Sequence, residues 1–308
     1  MISVAIITKN SSRRISKCLD SLSGFRDIIV ADTGSRDKTI EVCKSYGANV
    51  VQIPWENNFS EIRTKIESYS KFNYIFWIDD DEVLKPGNNI NHVHYLLKSN
   101  PDAICLHRVE QNEHKYKLLR IYRKGSWYWK YPIHEVLKSV DNIRRYVIDD
   151  LQNYIIHNRS KRKRKYSNFI KKNMKGYWDD PHMTYMYLNE LFNDRNWPEC
   201  VKAYDIYSKT TGGYSWHRSQ SLLYCATALH KEGENQKALD LLESSNILQV
   251  RAEAVYLKIK IIKTLGNFDK EINDLSMIAQ SISLPKEIGY SGNTQTPYVI
   301  DTSKYAKE

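Results

Sequence analysis

The periodicity of this 308-residue chain changes near its middle, and that change limits the folds that it can adopt. The first half alternates short apolar runs with amphipathic segments, which is typical of βαβ units and a mainly parallel sheet. The predicted strands are SVAIITK, DIIVAD, NVVQI and YIFWI; the predicted helices are SRRISKCLDSL, SRDKTIEVCKSYG and FSEIRTKIESYS. We therefore predict an α/β, Rossmann-like domain over residues 1–160.

From about residue 166 the pattern becomes helical and repeats. Three segments, Tyr185–Asn196, Tyr224–Asn235 and Tyr256–Asn267, each precede a second helical segment. They start 39 and then 32 residues apart, close to the period of about 34 residues in tetratricopeptide repeats. We predict an all-α helical-repeat domain over residues 161–284 and a C-terminal tail over residues 285–308. An irregular helical bundle is the alternative.

Composition and cysteine usage narrow the class of protein. Hydrophobic residues make up 41% and aromatic residues 12% of the chain, enough to build a core. No run of eighteen apolar residues occurs, so no transmembrane segment is predicted. Five widely spaced cysteines without a CxxC pair are typical of reduced thiols. The N-terminal MISVAIITKN is predicted as a strand and not a signal peptide, which favours a cytoplasmic location.

The net charge of +10 is concentrated in one run, RSKRKRKY at residues 159–166. Such a run is usually a solvated helix end or a linker. The alternative is contact with an anionic partner, such as nucleic acid, a membrane surface or a phosphorylated substrate.

Four acids, Asp79 to Glu82, follow the fourth predicted strand directly. Alternation along a strand would place Asp79 and Asp81 on one side and Asp80 and Glu82 on the other, where water could solvate them. The second interpretation is a Mg²⁺ or Mn²⁺ ion, held by one or two carboxylates and by substrate phosphates. Active groups of parallel sheets gather at the carboxyl ends of strands, and these acids lie at such an end.

Three motifs in order, ISVAIITKN, IIVADTGSRDKT and FWIDDDEVL, resemble the family 2 glycosyltransferases with a GT-A fold. The resemblance covers the first 85 residues closely and continues more weakly through YPIHEVL and YIIHN. With helical repeats after it, this order is similar to the bacterial peptide S-glycosyltransferases of the sublancin type. The resemblance implies a metal-dependent, inverting hexosyl transfer from a nucleotide sugar, with a UDP-sugar favoured.

The resemblance also implies roles for individual residues. Residues expected to contact the nucleotide sugar are Thr8, Lys9, Asn10, Asp32, Arg63, Asp79 and Asp80. Among them, Asp32 would bind the nucleobase. The nearby Asp37 would bind the same region of the nucleotide or cap its own helix. Two departures from the family pattern are Ser11–Ser12, where an acidic residue is common, and Thr64, where asparagine often follows the arginine.

For the metal, the resemblance gives Asp79 and Asp81 the first and last places of the DxD motif. Asp81 is then the expected direct ligand of Mn²⁺ or Mg²⁺, and Asp79 the expected partner of ribose or metal. His157, at the end of a short apolar strand, would complete the metal shell; the alternative is a structural histidine.

Transfer of a sugar passes through an oxocarbenium-like transition state while the acceptor loses a proton, so a catalytic base is expected. His134 and Glu135 in WYWKYPIHEVL are the candidates, with Glu135 favoured. The aromatic run Trp127–Trp129 could form the floor of a sugar site. The alternative is that the run is strand core and the His-Glu pair is polar surface.

Several acceptors remain open. Helical repeats typically hold peptides, so a peptide or protein acceptor is favoured, through a Cys or Ser side chain. A Cys acceptor would need little base strength because its thiolate is accessible near neutral pH. The alternatives are modified bases in DNA, contacted by residues 159–166, a glycan or lipid-linked acceptor, and a non-enzymatic peptide-binding scaffold with an inactive transferase domain. The oligomeric state is open, with a dimer as one option.

Overall fold

The structure is a computed structural model that describes residues 1–85, 90–109, 115–140, 146–157, 166–266 and 269–282. Contacts divide the chain into two compact units, which lie within Met1–Arg162 and Lys163–Gly289. The predicted tail at residues 285–308 lies outside the described residues, and so does the basic run at residues 159–166 apart from Tyr166.

The first unit alternates strands and helices, as the apolar runs predict. Its strands are β1 Ile2–Thr8, β2 Ile28–Asp32, β3 Asn49–Gln52, β4 Tyr74–Trp77, β5 Glu82–Lys85, β6 Ala103–Val109, β7 Lys115–Arg123, β8 Trp127–Lys130, β9 Val136–Ser139 and β10 Val147–His157. Its helices are α1 Ile15–Ser21, α2 Thr39–Ser45, α3 Phe59–Glu67 and α4 Ile90–Leu97. Gly47, two residues after α2, has a φ of 74°, a left-handed conformation that favours glycine.

Eight of these strands form one mixed sheet in the order β3-β2-β1-β4-β7-β6-β10-β5. The four strands from β3 to β4 are mutually parallel, whereas β7 and β5 run antiparallel to their neighbours. Strands β8 and β9 pair separately as an antiparallel ribbon. The prediction of an α/β fold with a mainly parallel sheet is confirmed.

Both faces of the sheet are covered, so the central strands are apolar on both sides. In β1, Ile2, Val4 and Ile6 pack in one core cluster with residues of α1. Ala5 points to the opposite cluster, which contains Ile62 of α3 and Trp129 of β8. Side chains of a strand alternate between faces, so β1 separates two cores that hold the helices in place.

The second unit is helical throughout its described part. Its helices are α5 Ser167–Lys172, α6 Pro181–Asn193, α7 Trp197–Ser208, α8 Ser215–Lys231, α9 Asn235–Glu243, α10 Ile247–Val250, α11 Ala252–Leu265 and α12 Asp269–Ser281. Three helix pairs, α6–α7, α8–α9 and α11–α12, follow the three predicted repeats. The short α10 lies between the second and third pairs. The prediction of an all-α region after the sheet is confirmed.

Two further observations concern the whole described chain. All five cysteine side chains are buried. Among the helices of the described ranges, none combines the length and the apolar character that crossing a bilayer requires.

Candidate active site

The predicted site residues come together at one edge of the sheet. The parallel register pairs Thr8, the last residue of β1, with Asp32, the last residue of β2. Strand β4 lies on the other side of β1 and ends at Trp77, two residues before Asp79. On the far side of the sheet, His157 at the end of β10 pairs with Glu82 at the start of β5. The carboxyl ends of parallel strands therefore bring four distant segments of sequence to one edge.

The acid cluster forms a turn, which we call the acid turn (residues 79–82). Strand β4 ends at Trp77, and the Glu82 backbone N–H donates to the Asp79 carbonyl at 3.0 Å. The Glu82 carboxylate also accepts a hydrogen bond from the Asp79 N–H at 3.0 Å. The prediction that the four acids alternate along a continuing strand is therefore wrong, because Glu82 folds the backbone back on itself.

Glu82 has a structural role in the core. Its carboxylate accepts two hydrogen bonds from the Arg120 guanidinium, at 2.7 and 2.8 Å, and neither side chain is exposed. Burial raises the pKa of Glu82 and lowers the pKa of Arg120, while the attraction between the two opposes both shifts. The guanidinium carbon of Arg120 also lies 3.8 Å from the ring centroid of Trp77. This ion pair fixes the end of the acid turn.

Asp80 joins the acid turn to the loop after β1. Its carboxylate accepts hydrogen bonds from the Thr8 hydroxyl at 2.7 Å and from the Ser11 hydroxyl, and it pairs with Arg14 at 3.0 Å. Burial raises the pKa of Asp80, and these three partners oppose the rise. Ser11, one of the departures from the family pattern, is thus a direct partner of the acid cluster, which the sequence did not indicate.

Asp79 is connected to the candidate base through Arg63. The Arg63 Nη2 lies 3.2 Å from Asp79 Oδ1, and its Nε lies 2.8 Å from Glu135 Oε1. The Asp79 side chain keeps 40% of its surface exposed. Desolvation raises its pKa, but the charges of Arg63 and Arg120 have the larger combined effect and hold that pKa below its usual value.

Glu135 ends a loop with unusual backbone conformations, the His-Glu loop (residues 131–135). Tyr131 and His134 have φ angles of 76° and 51°. This left-handed region costs a residue with a side chain about 1–3 kcal/mol, so surrounding contacts must hold it. The ion pair between Glu135 and Arg63 is one such contact.

Helix α3 supplies further contacts to the His-Glu loop. The Phe59 N–H donates to the Pro132 carbonyl at 2.8 Å, and the Ser60 hydroxyl donates to the Tyr131 carbonyl. The Asn58 side chain caps the helix by accepting a hydrogen bond from the N–H of Glu61. The first turn of α3 therefore positions the loop, a role that its sequence pattern did not reveal.

The aromatic run before the loop is largely core. Trp127 and Trp129 are buried, and the Trp129 indole N–H donates to the Tyr122 hydroxyl at 3.0 Å. A sugar floor built from these two tryptophans is therefore wrong, and the strand-core alternative is correct for them. Tyr128 points outward and is exposed. The interpretation of Glu135 as simple polar surface is also wrong, because its carboxylate is mostly buried against Arg63.

The candidate nucleotide pocket lies at the ends of β1 and β2. Oδ2 of Asp32 accepts hydrogen bonds from the N–H groups of Gly34 and Ser35, at 3.1 and 3.0 Å. Its Oδ1 is buried and has no hydrogen-bond partner among the described residues. A buried acceptor without a partner costs stability, so this oxygen is suited to a donor group from a ligand.

The loops on either side of Asp32 are tied together. Asn10, with a φ of 51°, donates from its N–H to the Ser35 hydroxyl at 2.9 Å. Its side-chain oxygen accepts from the Arg36 N–H at 2.8 Å. The neighbouring Lys9 is exposed.

Asp37 lies at the start of α2, where it accepts hydrogen bonds from the N–H and hydroxyl groups of Thr39 and Ser12. Slight desolvation raises its pKa, but these hydrogen bonds have the larger effect and lower it to about 2. These hydrogen bonds tie Asp37 to Thr39, the first residue of α2, although the N-cap residue of that helix is Lys38.

Asp81 and His157 form the candidate metal-binding pair. Asp81 Oδ2 lies 3.6 Å from His157 Nε2, and both side chains are partly exposed. No cluster of three or more potential ligands from His, Cys, Asp and Glu occurs within the described ranges. Mg²⁺ typically uses one or two carboxylates together with substrate phosphates and water, so a carboxylate and an imidazole side by side fit such an ion.

A mixed sheet with acids gathered at the carboxyl ends of its strands defines an α/β protein with a polar ligand site. The family model for glycosyl transferase family 2 matches residues 3–174, more than half of the chain. The chain belongs to this family, and the resemblance inferred from the three motifs is confirmed.

Individual relatives match shorter segments. The SPbeta prophage-derived glycosyltransferase SunS of Bacillus subtilis (strain 168) is 37% identical over 90 residues, which cover 28% of this chain and 21% of that protein. A TPR repeat-containing protein of Synechococcus elongatus is 31% identical over 84 residues, 27% of this chain and 21% of that protein. The matched segments thus span about a fifth of these two curated relatives.

Among solved structures, Staphylococcus aureus TarS 1–349 aligns over 91% of this chain and 90% of its own. The identity is 13% and the TM-score is 0.43, a level of likeness that carries no information on activity.

Proposed function

We propose that this protein is an inverting glycosyltransferase that moves a sugar from a nucleotide sugar, with a UDP-sugar favoured, to a side chain of a peptide or protein. The observation that carries the proposal is the link through Arg63 between Asp79 and Glu135. It sets a candidate base beside the first carboxylate of the DxD motif. An inverting transfer needs this neighbourhood, because the acceptor loses its proton close to where the donor bond breaks.

The nucleotide would bind at the ends of β1 and β2. Oδ1 of Asp32, which has no hydrogen-bond partner among the described residues, would accept a hydrogen bond from the nucleobase. Thr8, Lys9 and Asn10 would line the adjoining wall. Asp80 supports this wall, since its carboxylate accepts a hydrogen bond from the Thr8 hydroxyl.

The diphosphate would lie beside the acid turn. Asp81 and His157 would hold a Mn²⁺ or Mg²⁺ ion, and Asp79 would bind either the ribose or the ion. When bound, such an ion neutralises the charge that develops on the departing diphosphate. Two protein ligands would leave positions on the ion for phosphate oxygens and water, because Mg²⁺ in phosphate enzymes usually keeps several waters and binds only one or two carboxylates.

Glu135 would accept the proton of the acceptor. The helix pairs of the second unit and the motif resemblance to peptide S-glycosyltransferases support a peptide acceptor that offers a Cys or Ser side chain. A Cys acceptor needs a weaker base than a Ser acceptor, because a thiol with an ordinary pKa of about 8.5 is already partly ionised near neutral pH. Nucleotide sugars and buried reduced cysteines both agree with a cytoplasmic location.

A donor panel tests this proposal. The purified chain is incubated with UDP- and GDP-sugars, with Mn²⁺ or EDTA, and with peptides that differ only in Cys, Ser or Ala at one position. We expect one UDP-sugar to give a peptide mass increase of one hexose or N-acetylhexosamine, and EDTA to abolish it. Glu135→Gln should lower the rate of transfer by about 10²–10⁴-fold while it preserves UDP binding measured by calorimetry.

Glu56→Gln is the matched control, since Glu56 forms an exposed ion pair with Lys65. This variant should transfer at the wild-type rate. The proposal is wrong if no sugar nucleotide binds, or if Glu135→Gln transfers sugar as fast as wild type does.

A further inference from the structure

We propose that Arg63 is a positioning residue that fixes Glu135 and Asp79 relative to each other, and that it is not a contact to the donor. The resemblance to the family implies that this arginine contacts the donor, whereas the structure points to a different role. The inference rests on the proposed function, because it assigns Glu135 as the base.

The two ion pairs of Arg63 have a defined geometry. Arg63 uses its Nε for Glu135 at 2.8 Å and its Nη2 for Asp79 at 3.2 Å. A guanidinium is planar and its N–H groups point in fixed directions. Two carboxylates bonded to different nitrogens of one guanidinium are therefore held at a defined separation and angle.

The guanidinium of Arg63 is itself held in place by two tryptophans. Its central carbon lies 4.5 Å from the ring centroid of Trp77 and 4.7 Å from that of Trp129. The two indoles contact each other edge to face at 5.3 Å. Each indole N–H donates a hydrogen bond, to the Leu119 carbonyl and to the Tyr122 hydroxyl respectively. Rings fixed in this way leave the guanidinium little freedom to turn toward another ligand.

Arg63 is buried, whereas one of its two partners is exposed to solvent. The Arg63 side chain is only 7% exposed, whereas its partner Asp79 is 40% exposed. The Arg63 guanidinium thus lies beneath Asp79. The Asp79 carboxylate is the group that faces the solvent, where a donor would bind.

Positioning of this kind affects the rate of transfer more than the affinity for the donor. A displacement of reacting groups by about 1 Å can lower a rate about 100-fold. Lysine in place of Arg63 would keep the positive charge but lose the planar pair of N–H groups.

A double-mutant cycle with Arg63→Lys and Glu135→Gln tests the proposal. For Arg63→Lys alone we expect kcat to fall about 100-fold, with a Kd for UDP close to that of wild type. Adding Arg63→Lys to Glu135→Gln should lower kcat little further, because the group that Arg63 positions has already lost its function. The control is Lys65→Ala on the same helix, which removes an exposed cation. It should leave kcat, the Kd for UDP and the hydrogen exchange of residues 131–137 unchanged.

Hydrogen exchange gives a readout that needs no transfer reaction. Backbone amides of residues 131–137 should exchange faster in Arg63→Lys than in wild type, while the amides of β1 keep their protection. The proposal is overturned if Arg63→Lys weakens UDP binding more than tenfold in both backgrounds, or if loop exchange is unchanged. If wild type transfers no sugar, the proposed function fails, and loop exchange alone still decides whether Arg63 positions the loop.

Discussion

At the scale of the residue, burial and charge are balanced differently at each member of the acid turn. Glu82 is enclosed with Arg120, and Asp80 is enclosed with two hydroxyls and Arg14. Asp79 and Asp81 keep 40% and 22% of their side chains exposed. Only the latter two carboxylates are open to a ligand from solution, so the cluster separates into a buried supporting pair and an exposed pair.

The buried ion pair between Glu82 and Arg120 gives a stability prediction. Glu82→Gln would leave the Arg120 charge buried without a counter-ion, and breaking such a pair costs about 3–5 kcal/mol. We expect the free energy of unfolding in urea to fall by about this amount. Glu56→Gln, in an exposed pair with Lys65, should change it by less than about 1 kcal/mol.

Equal losses of unfolding free energy in the two variants would contradict this assignment. A loss in Glu82→Gln together with an unchanged m-value would show that stability, and not the compactness of the unfolded chain, had changed.

At the scale of the element, α3 links the core to the candidate base. Its apolar face carries Ile62 and Ile66 into the cluster beneath the sheet. Its first turn and Arg63 contact the His-Glu loop. Because one helix makes both sets of contacts, the position of the loop depends on packing in the core.

Ser60 of α3 and Ser68, the residue that follows this helix, allow a matched test of this link. The Ser60 hydroxyl donates to the Tyr131 carbonyl across the loop, whereas the Ser68 hydroxyl donates to Lys65 within the same helical segment. Ser60→Ala should lower the free energy of unfolding by about 1 kcal/mol, the usual net value of one hydrogen bond. It should also speed hydrogen exchange in the His-Glu loop, and Ser68→Ala should not. If both variants left exchange in the loop unchanged, the hydrogen bond from Ser60 would not be what holds it.

At the scale of the whole molecule, each unit has its own core. The helical unit buries Leu242 and Ile261 in one cluster, while the sheet unit buries residues of β1 in two others. Leu242→Ala should cost about 2–5 kcal/mol, as truncations at fully buried leucines do.

Hydrogen exchange can show which helices and strands are destabilised by Leu242→Ala. In Leu242→Ala, we expect amides of α8, α9 and α11 to exchange faster while those of β1 stay protected. Leu265→Ala, at an exposed position of α11, is the control and should change neither set. Equal acceleration in β1 would show that the two units unfold together.

The sequence predicts much of this molecule because its strongest signals are local. Apolar runs give the strands of the sheet, and strand ends give the site edge with Asp32 and Asp79. Glu82 could not be assigned in this way, because its partner Arg120 lies 38 residues away. Ser60 is similar, since its partner Tyr131 lies 71 residues away. Roles that depend on distant partners have no local pattern, so the structure was needed to find them.

The register between Thr8 and Asp32 has a consequence for how such a site can diversify. Neighbouring strands lie about 4.8 Å apart, a spacing set by backbone hydrogen bonds and not by side chains. Loops that follow these strands can therefore change in length and composition during evolution while the anchoring positions at the strand ends stay in place. New specificity can then arise by exchange of loops, with the relative positions of Thr8 and Asp32 left intact.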